Sequence, residues 1–288
     1  MMWKCRRNIV ILLLLAVVAA LVTCSVQTNS HEGEEERVGF FDASAAARVP
    51  EELLTEDVLL DIDIPLPLKG VSEQILYRKN YIVSYNKDYK IPNWVAWHLT
   101  AEQTDGDIKR PGNAWHEDTD VPMPRATRED YRGTSWTHGH MCPAGDNKWD
   151  SEAMYESFLL TNCCPQHGKL NSGVWNEIER SCRRWAERFG DVYIICGPIL
   201  LRQEHETIGE NHVVVPEAFF KVVACLNDTH TKGIGFVCRN SAGKQKKDLH
   251  VNSIREVERI TGMTFFPHLS KKMAEKVKNG RDLEEWRE

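Results

Sequence analysis

Apolar positions along the chain fall into three regimes. Ile9 to Val22 is an unbroken apolar run of 14 residues. A polar, acidic stretch follows, with Glu34-Glu35-Glu36. From about residue 75 onward, strand and helix periodicities alternate. Tyr81-Ile82-Val83-Ser84-Tyr85 alternates and is rich in β-formers, and Trp94 to Leu99 is a second strand candidate. Gly, Pro and Asp clusters make Asp105 to Pro124 a long loop. Asp150-Ser151-Glu152 opens a helix reaching about Leu160, with acidic groups where the helix dipole favours them. The strongest helical signal runs from Asn171 to Phe189, where Val174, Ile178, Cys182, Trp185 and Phe189 recur at steps of three or four and share one face. Gly190 ends it. Val192 to Cys196 predicts a buried strand closed by Gly197-Pro198, and Phe219–Leu226 with Gly233–Arg239 predicts a hairpin. Val251–Thr261 and Lys271–Trp286 are later helices. The pattern is that of one α+β domain.

The N-terminal run changes the organisation. Lys4, Arg6 and Arg7 precede it, and 14 apolar residues fall short of the roughly 20 that span a bilayer. Residues 1–24 therefore read as an export segment: a signal peptide, a lipoprotein signal (Leu21-Val22-Thr23-Cys24 resembles a lipobox) or an anchor. Residues 25–64 read as a polar tether and 65–288 as the folded domain. The expected location is exported: periplasmic, secreted or lipid-anchored at the cell envelope, with membrane contact only through the N-terminal segment. The 288 residues, 42% hydrophobic and 27% charged, exclude a disordered, collagen-like or polytopic membrane chain. The net charge is −6. The first 24 residues hold three basic and no acidic groups, so the rest carries 33 basic against 42 acidic, a balance of −9. A polyanion site must then be a local patch. Seven of the nine cysteines follow the leader, an odd number mostly in apolar stretches, which predicts buried thiols in place of a disulfide framework. Asn227-Asp228-Thr229 is a glycosylation sequon, relevant only in a eukaryotic secretory pathway.

Candidate chemistry is concentrated between Thr137 and Glu179. His138 and His140, two apart, point to one side of an extended segment, and Gly139 between them permits close approach. Leu160-Thr161-Asn162-Cys163-Cys164-Pro165-Gln166 is a second cluster. Asn171, Trp175 and Glu179 follow at steps of four and form one helix ridge. The oxygens of Asn171 and Glu179 suit a hard cation such as Mg2+. Each residue also has a plainer reading: a hydrogen-bonded structural histidine, a helix cap and a solvated glutamate.

Taken in order, these motifs resemble the DNA/RNA non-specific endonuclease family, the ββα-metal or His-Me finger nucleases (endonuclease G-like). The family's Asp-Arg-Gly-His motif, followed by Met/Leu-Ala/Cys-Pro-Ala, stands here as Thr137-His138-Gly139-His140-Met141-Cys142-Pro143-Ala144. Asp146 to Trp149, Phe158 to Asn162, Pro165-Gln166, Leu170 to Trp175, Val192 to Pro198, Val215 to Lys221 and Gly262 to Pro267 continue the likeness, which covers about residues 75–268. The resemblance implies a mixed or antiparallel central sheet flanked by helices, with a ββα-metal active-site motif. It implies a metal-dependent, sequence-non-specific endonuclease acting on DNA and RNA and leaving 5′-phosphate ends. His140 takes the general-base position, Asn171 that of the direct metal ligand, Glu179 that of the residue holding metal-bound waters, and Asn162 that of the active-site Asn, orienting the site by hydrogen bonds. The ion implied is Mg2+, with Mn2+ or another divalent cation as alternatives.

The departure lies at Thr137 and His138, where the family carries Asp and Arg. His138 neutralises phosphate only as a cation, which predicts better activity at mildly acidic pH; otherwise Lys109, Arg110, Arg125, Arg128 or Arg132 reaches in. Arg110, Arg132 and Lys148 are the candidate substrate contacts. Two rival readings stand beside the nuclease: a catalytically weak or inactive surface binding module on the same fold, and a zinc protein using His138, His140, Cys142, Cys163, Cys164 and His167.

Overall fold

Three long strands are apolar on both faces because both faces are covered. A computed structural model describes residues 64–287 apart from 113, 228 and 244–245. The leader at 1–24 and nearly all of the tether at 25–64 lie outside the described residues. The strands are β1 (Gln74–Tyr77), β2 (Ile82–Asn86), β3 (Ile91–Thr100), β4 (Trp136–His140), β5 (Cys163–His167), β6 (Asp191–Ile199), β7 (Thr207–Ile208), β8 (Val213–Val214), β9 (Ala218–Leu226), β10 (Thr231–Arg239) and β11 (Val251–Asn252). Seven form one sheet in the order β1-β2-β3-β6-β9-β10-β11. Every adjacent pair is antiparallel, which resolves the mixed-or-antiparallel expectation. β4–β5 and β7–β8 are separate ribbons.

Alternation sorts the long strands between two cores. Val95, Trp97, Leu99, Val192, Ile194, Cys196, Phe219 and Val223 face one layer. Trp94, Ala96, Tyr193, Ile195, Phe220, Val222 and Ala224 face the other, where they meet Ile254, Val257, Phe265 and Val277. The first layer contains the amphipathic helix: Val174, Ile178, Cys182, Trp185 and Phe189 are all buried in it. Each such side chain withdrawn from water stabilises by about 1.5–3 kcal/mol, so the predicted face holds this helix to the sheet.

Boundaries differ from the periodic signal where caps intervene. α1 (Ser151–Ser157) starts on the Asp150 cap, whose side chain accepts from Glu152 and Ala153 N–H groups, and stops short of Leu160. The long helix is split: Asn171–Trp175 is a wider turn in which Gly173 leaves helical geometry, and α2 proper is Asn176–Phe189. Gly190 closes it at φ +93°, a conformation glycine adopts without strain. The helix expected from Val251 begins only at Ile254, as α3 (Ile254–Thr261), because Ser253 and Glu256 form a capping box. The helix expected to reach Trp286 ends as α4 (Lys271–Asn279); Gly280 packs so closely that a Cβ there would lie 2.5 Å from the Gly233 carbonyl oxygen. Beyond it, Trp286 is buried against Trp185 and Phe189. The Asn227 amide of the sequon is occupied, donating to Phe189 O and Asp191 Oδ1. Among the described residues no helix is long and apolar enough to cross a membrane.

Candidate active site

The site is built on the β4–β5 ribbon and the helix that follows it. β5 carries Pro165 and gives no clean strand signal, yet it pairs with β4 along its whole length: His138 opposite Pro165, Gly139 opposite Cys164 and His140 opposite Cys163. Alternation places both histidines on one face. On the other face a Cβ at Gly139 would lie 2.5 to 2.8 Å from Gln166 side-chain atoms, so the glycine makes room for the fully buried Gln166.

Aromatic rings enclose the two imidazoles. Tyr131 stacks on His138 at 3.9 Å and Trp115 at 5.0 Å. The same Trp115 lies 4.3 Å from His140, and Phe158 meets His140 edge-on at 4.9 Å. The Nε2 atoms of both histidines are buried and without a hydrogen-bond partner. Burial, with Arg110 and His138 adding to it, lowers the His140 pKa to about 3. Burial, with Arg128 and Arg110 adding to it, lowers that of His138 to about 4. Burial and the two guanidinium groups thus favour the neutral form of His138, against its service as a cation for phosphate.

Asn171 is folded back onto β4. Its Nδ2 donates to Thr137 Oγ1 at 3.0 Å and to the His138 carbonyl at 3.2 Å. Both bonds use the amide nitrogen and leave Oδ1 open to a ligand. One turn on, Trp175 Nε1 donates to the His140 carbonyl at 3.3 Å. Two members of the helix ridge thus grip the strand that carries both histidines. Glu179, the third, is half-buried. Burial pushes its carboxyl up to about 7, opposed chiefly by Lys221. Asn162 is wholly buried and addresses only backbone: its Oδ1 accepts from Cys142 N, and its Nδ2 donates to the Cys142 and Ser157 carbonyls. It fixes the chain just after His140, and these three bonds all go to backbone rather than to the imidazoles.

The cations divide. Arg110 lies over the Phe158 ring at 4.9 Å, on the aromatic wall of His140. Arg128 lines a cleft of about 460 Å3 with Trp115, His116, Glu117, Thr127 and Glu129. Arg110, Lys109 and Lys148 line a second cleft, of about 330 Å3, beside Ala144 and Gly145. Arg132 points to solvent, paired with Glu129, and Arg125 pairs with Glu117. The structure thus brings Arg110 and Arg128 towards the histidines and leaves Arg132 on the surface. Among the described residues no three His, Cys, Asp or Glu side chains converge on a metal position, which removes the support for the zinc reading. A single amide oxygen backed by a carboxylate suits a hydrated hard divalent cation instead.

Several contributors were not foreseen. Trp115, Tyr131 and Phe158 reach the histidines from three separate segments and leave no local signal. Asp146 accepts from Arg183 at 2.6 Å and from Trp97 Nε1 at 3.1 Å, in the loop behind His140. Lys221, fully buried in β9, did carry a signal: it is the charged residue inside the apolar run Phe219 to Leu226.

Comparison with known proteins assigns the chain a family and a fold. The sequence pattern of the family described as DNA/RNA non-specific endonuclease matches residues 66–272. "Nuclease EXOG, mitochondrial" of Mus musculus is 37% identical over 249 residues, covering 80% of this chain and 66% of the mouse protein. "Endonuclease G, mitochondrial" of Bos taurus is 31% identical over 217 residues, covering 70% and 72%. The crystal structure of an EndoG/EndoGI complex superposes with a TM-score of 0.68 at 27% identity, covering 74% of this chain and 94% of that one. The chain spans 58–66% of the length of the four EXOG relatives.

Proposed function

Because the chain belongs to the DNA/RNA non-specific endonuclease family, we propose that it is a metal-dependent endonuclease hydrolysing phosphodiester bonds of DNA and RNA without reading sequence. The observation that carries this is the grip of the Asn171 and Trp175 side chains on β4, which ties the helix bearing the ligand oxygen to the strand bearing the base. His140, held neutral, takes the proton of the attacking water at its free Nε2. Phosphate brings negative charge to the same spot and raises the affinity of that imidazole for the proton. Asn171 Oδ1 holds a divalent cation, Mg2+ in this reading, and Glu179 orients its waters. When bound, the ion offsets the charge that develops on the phosphate and the leaving oxygen. Arg110 and Arg128 supply the fixed positive charge that His138 cannot, and Lys148 adds to it along the second cleft. Contacts of this kind address the backbone, which fits low sequence preference.

The test is digestion of supercoiled plasmid and of RNA with added Mg2+, beside a His140→Ala control, with the product ends analysed. Cleavage by the wild type, a drop of about 10²–10⁴ in the control, and 5′-phosphate ends are expected. Intact substrate under every metal and pH would leave the non-catalytic binding module as the correct reading. For the leader, the unbroken apolar run supports export, whereas the names of the mammalian relatives speak for a mitochondrial destination. Fractionation with sequencing of the mature N-terminus separates the two.

A further inference from the structure

Lys221 is the anomaly of the core. Alternation along β9 puts it on the same face as Phe219 and Val223, in the layer that packs against the helix of the site. Its side chain is 0% exposed, and Nζ finds no oxygen or nitrogen acceptor. Cys196 is its register partner across the sheet. Besides the Cys196 thiol and the nearby Glu179 and Asp146 carboxyls, Nζ meets two rings: the Trp97 centroid at 4.8 Å and the Trp175 centroid at 4.6 Å. Packing alone does not account for it. A buried charge is costly, and an apolar chain of the same length fills the space as well or better.

Both indoles turn their N–H towards the site. Trp97 Nε1 donates to Asp146 Oδ2, and Trp175 Nε1 donates to the His140 carbonyl. Attraction of a cation to a ring face is directional, so an ammonium beside both rings fixes their planes, and with the planes the directions of the two N–H groups. We propose that Lys221 is a positioning residue, whose ammonium holds the Trp175 indole so that its N–H pins the backbone of His140 beside the Asn171–Glu179 ridge. It touches neither substrate nor ion. The effect on cleavage rests on the nuclease reading; the effect on the indole does not.

The experiment uses 15N-indole-labelled full-length protein and the plasmid assay. The Trp175 indole resonance is identified by its loss in Trp175→Phe. Lys221→Met is expected to keep the fold with an equal or higher Tm, to shift the Trp175 resonance, and to lower kcat by about ten- to a hundredfold with KM within about twofold. The Lys221→Met/Trp175→Phe double variant is expected to be no slower than Trp175→Phe alone, because both changes break one linkage. An unmoved Trp175 resonance in folded Lys221→Met, or losses that multiply in the double variant, overturns the proposal. Should Lys221→Met fail to fold, Trp175→Phe with wild-type kcat overturns it equally. A wild type that cleaves nothing removes the nuclease reading, while the resonance still decides the role of Lys221.

Discussion

His138 stands where the family motif has a permanently charged side chain, and its surroundings keep it uncharged. Tyr131 and Trp115 cover its ring, and Arg128 and Arg110 repel a proton. The sign follows: with a pKa lowered to about 4, the imidazole is neutral from about pH 5 upward and takes up charge only in stronger acid. His138→Gln should therefore leave the pH–rate profile between pH 5 and 7 unshifted. An acidic limb present in the wild type and missing in the variant would restore the cationic role. Gly139 is constrained from the opposite face. A methyl there collides with Gln166, so Gly139→Ala should cost about 1–3 kcal/mol, read as a lower urea midpoint.

At the scale of elements, what the sequence revealed depended on how local the cause was. The helix from Asn171 was legible because Val174, Ile178, Cys182, Trp185 and Phe189 all answer to one period and one partner surface. Its break at Gly173 was not, since that turn is shaped by the side chains that fold back onto β4. β5 was missed because Pro165 spoils the strand signal while the ribbon pairing with β4 sustains it. α3 was placed too early although Ser253-Ile254-Arg255-Glu256 spells a capping box. His140, Asn171 and Glu179 could be named from spacing and family likeness. Trp115 and Phe158 could not, because only the tertiary fold brings them to His140. Gly190 tests the helix end. Its φ of +93° suits no side chain, so Gly190→Ala should lower stability by about 1–2 kcal/mol, measured by denaturant unfolding.

For the molecule as a whole, the proposed ion is expected to bear little on the fold. The sheet is covered on both faces by side chains alone, and the proposed ion has one direct protein ligand. Chelation with EDTA should abolish cleavage while moving Tm by no more than a few degrees. Binding at ten times Kd adds only about 1.4 kcal/mol to stability, and readdition of Mg2+ should restore the rate. A loss of folded structure on chelation would show that the ion is structural.

All seven described cysteines are free and buried, and burial pushes their thiols up, to about 11 for Cys196 and about 12 for Cys163, Cys182 and Cys238. A small alkylating reagent at neutral pH therefore finds no thiolate until the chain opens. The core becomes its own recorder: the order in which Cys142, Cys163, Cys164, Cys182, Cys196, Cys225 and Cys238 acquire label, resolved by peptide mass spectrometry, reads out which layer breathes first and how often.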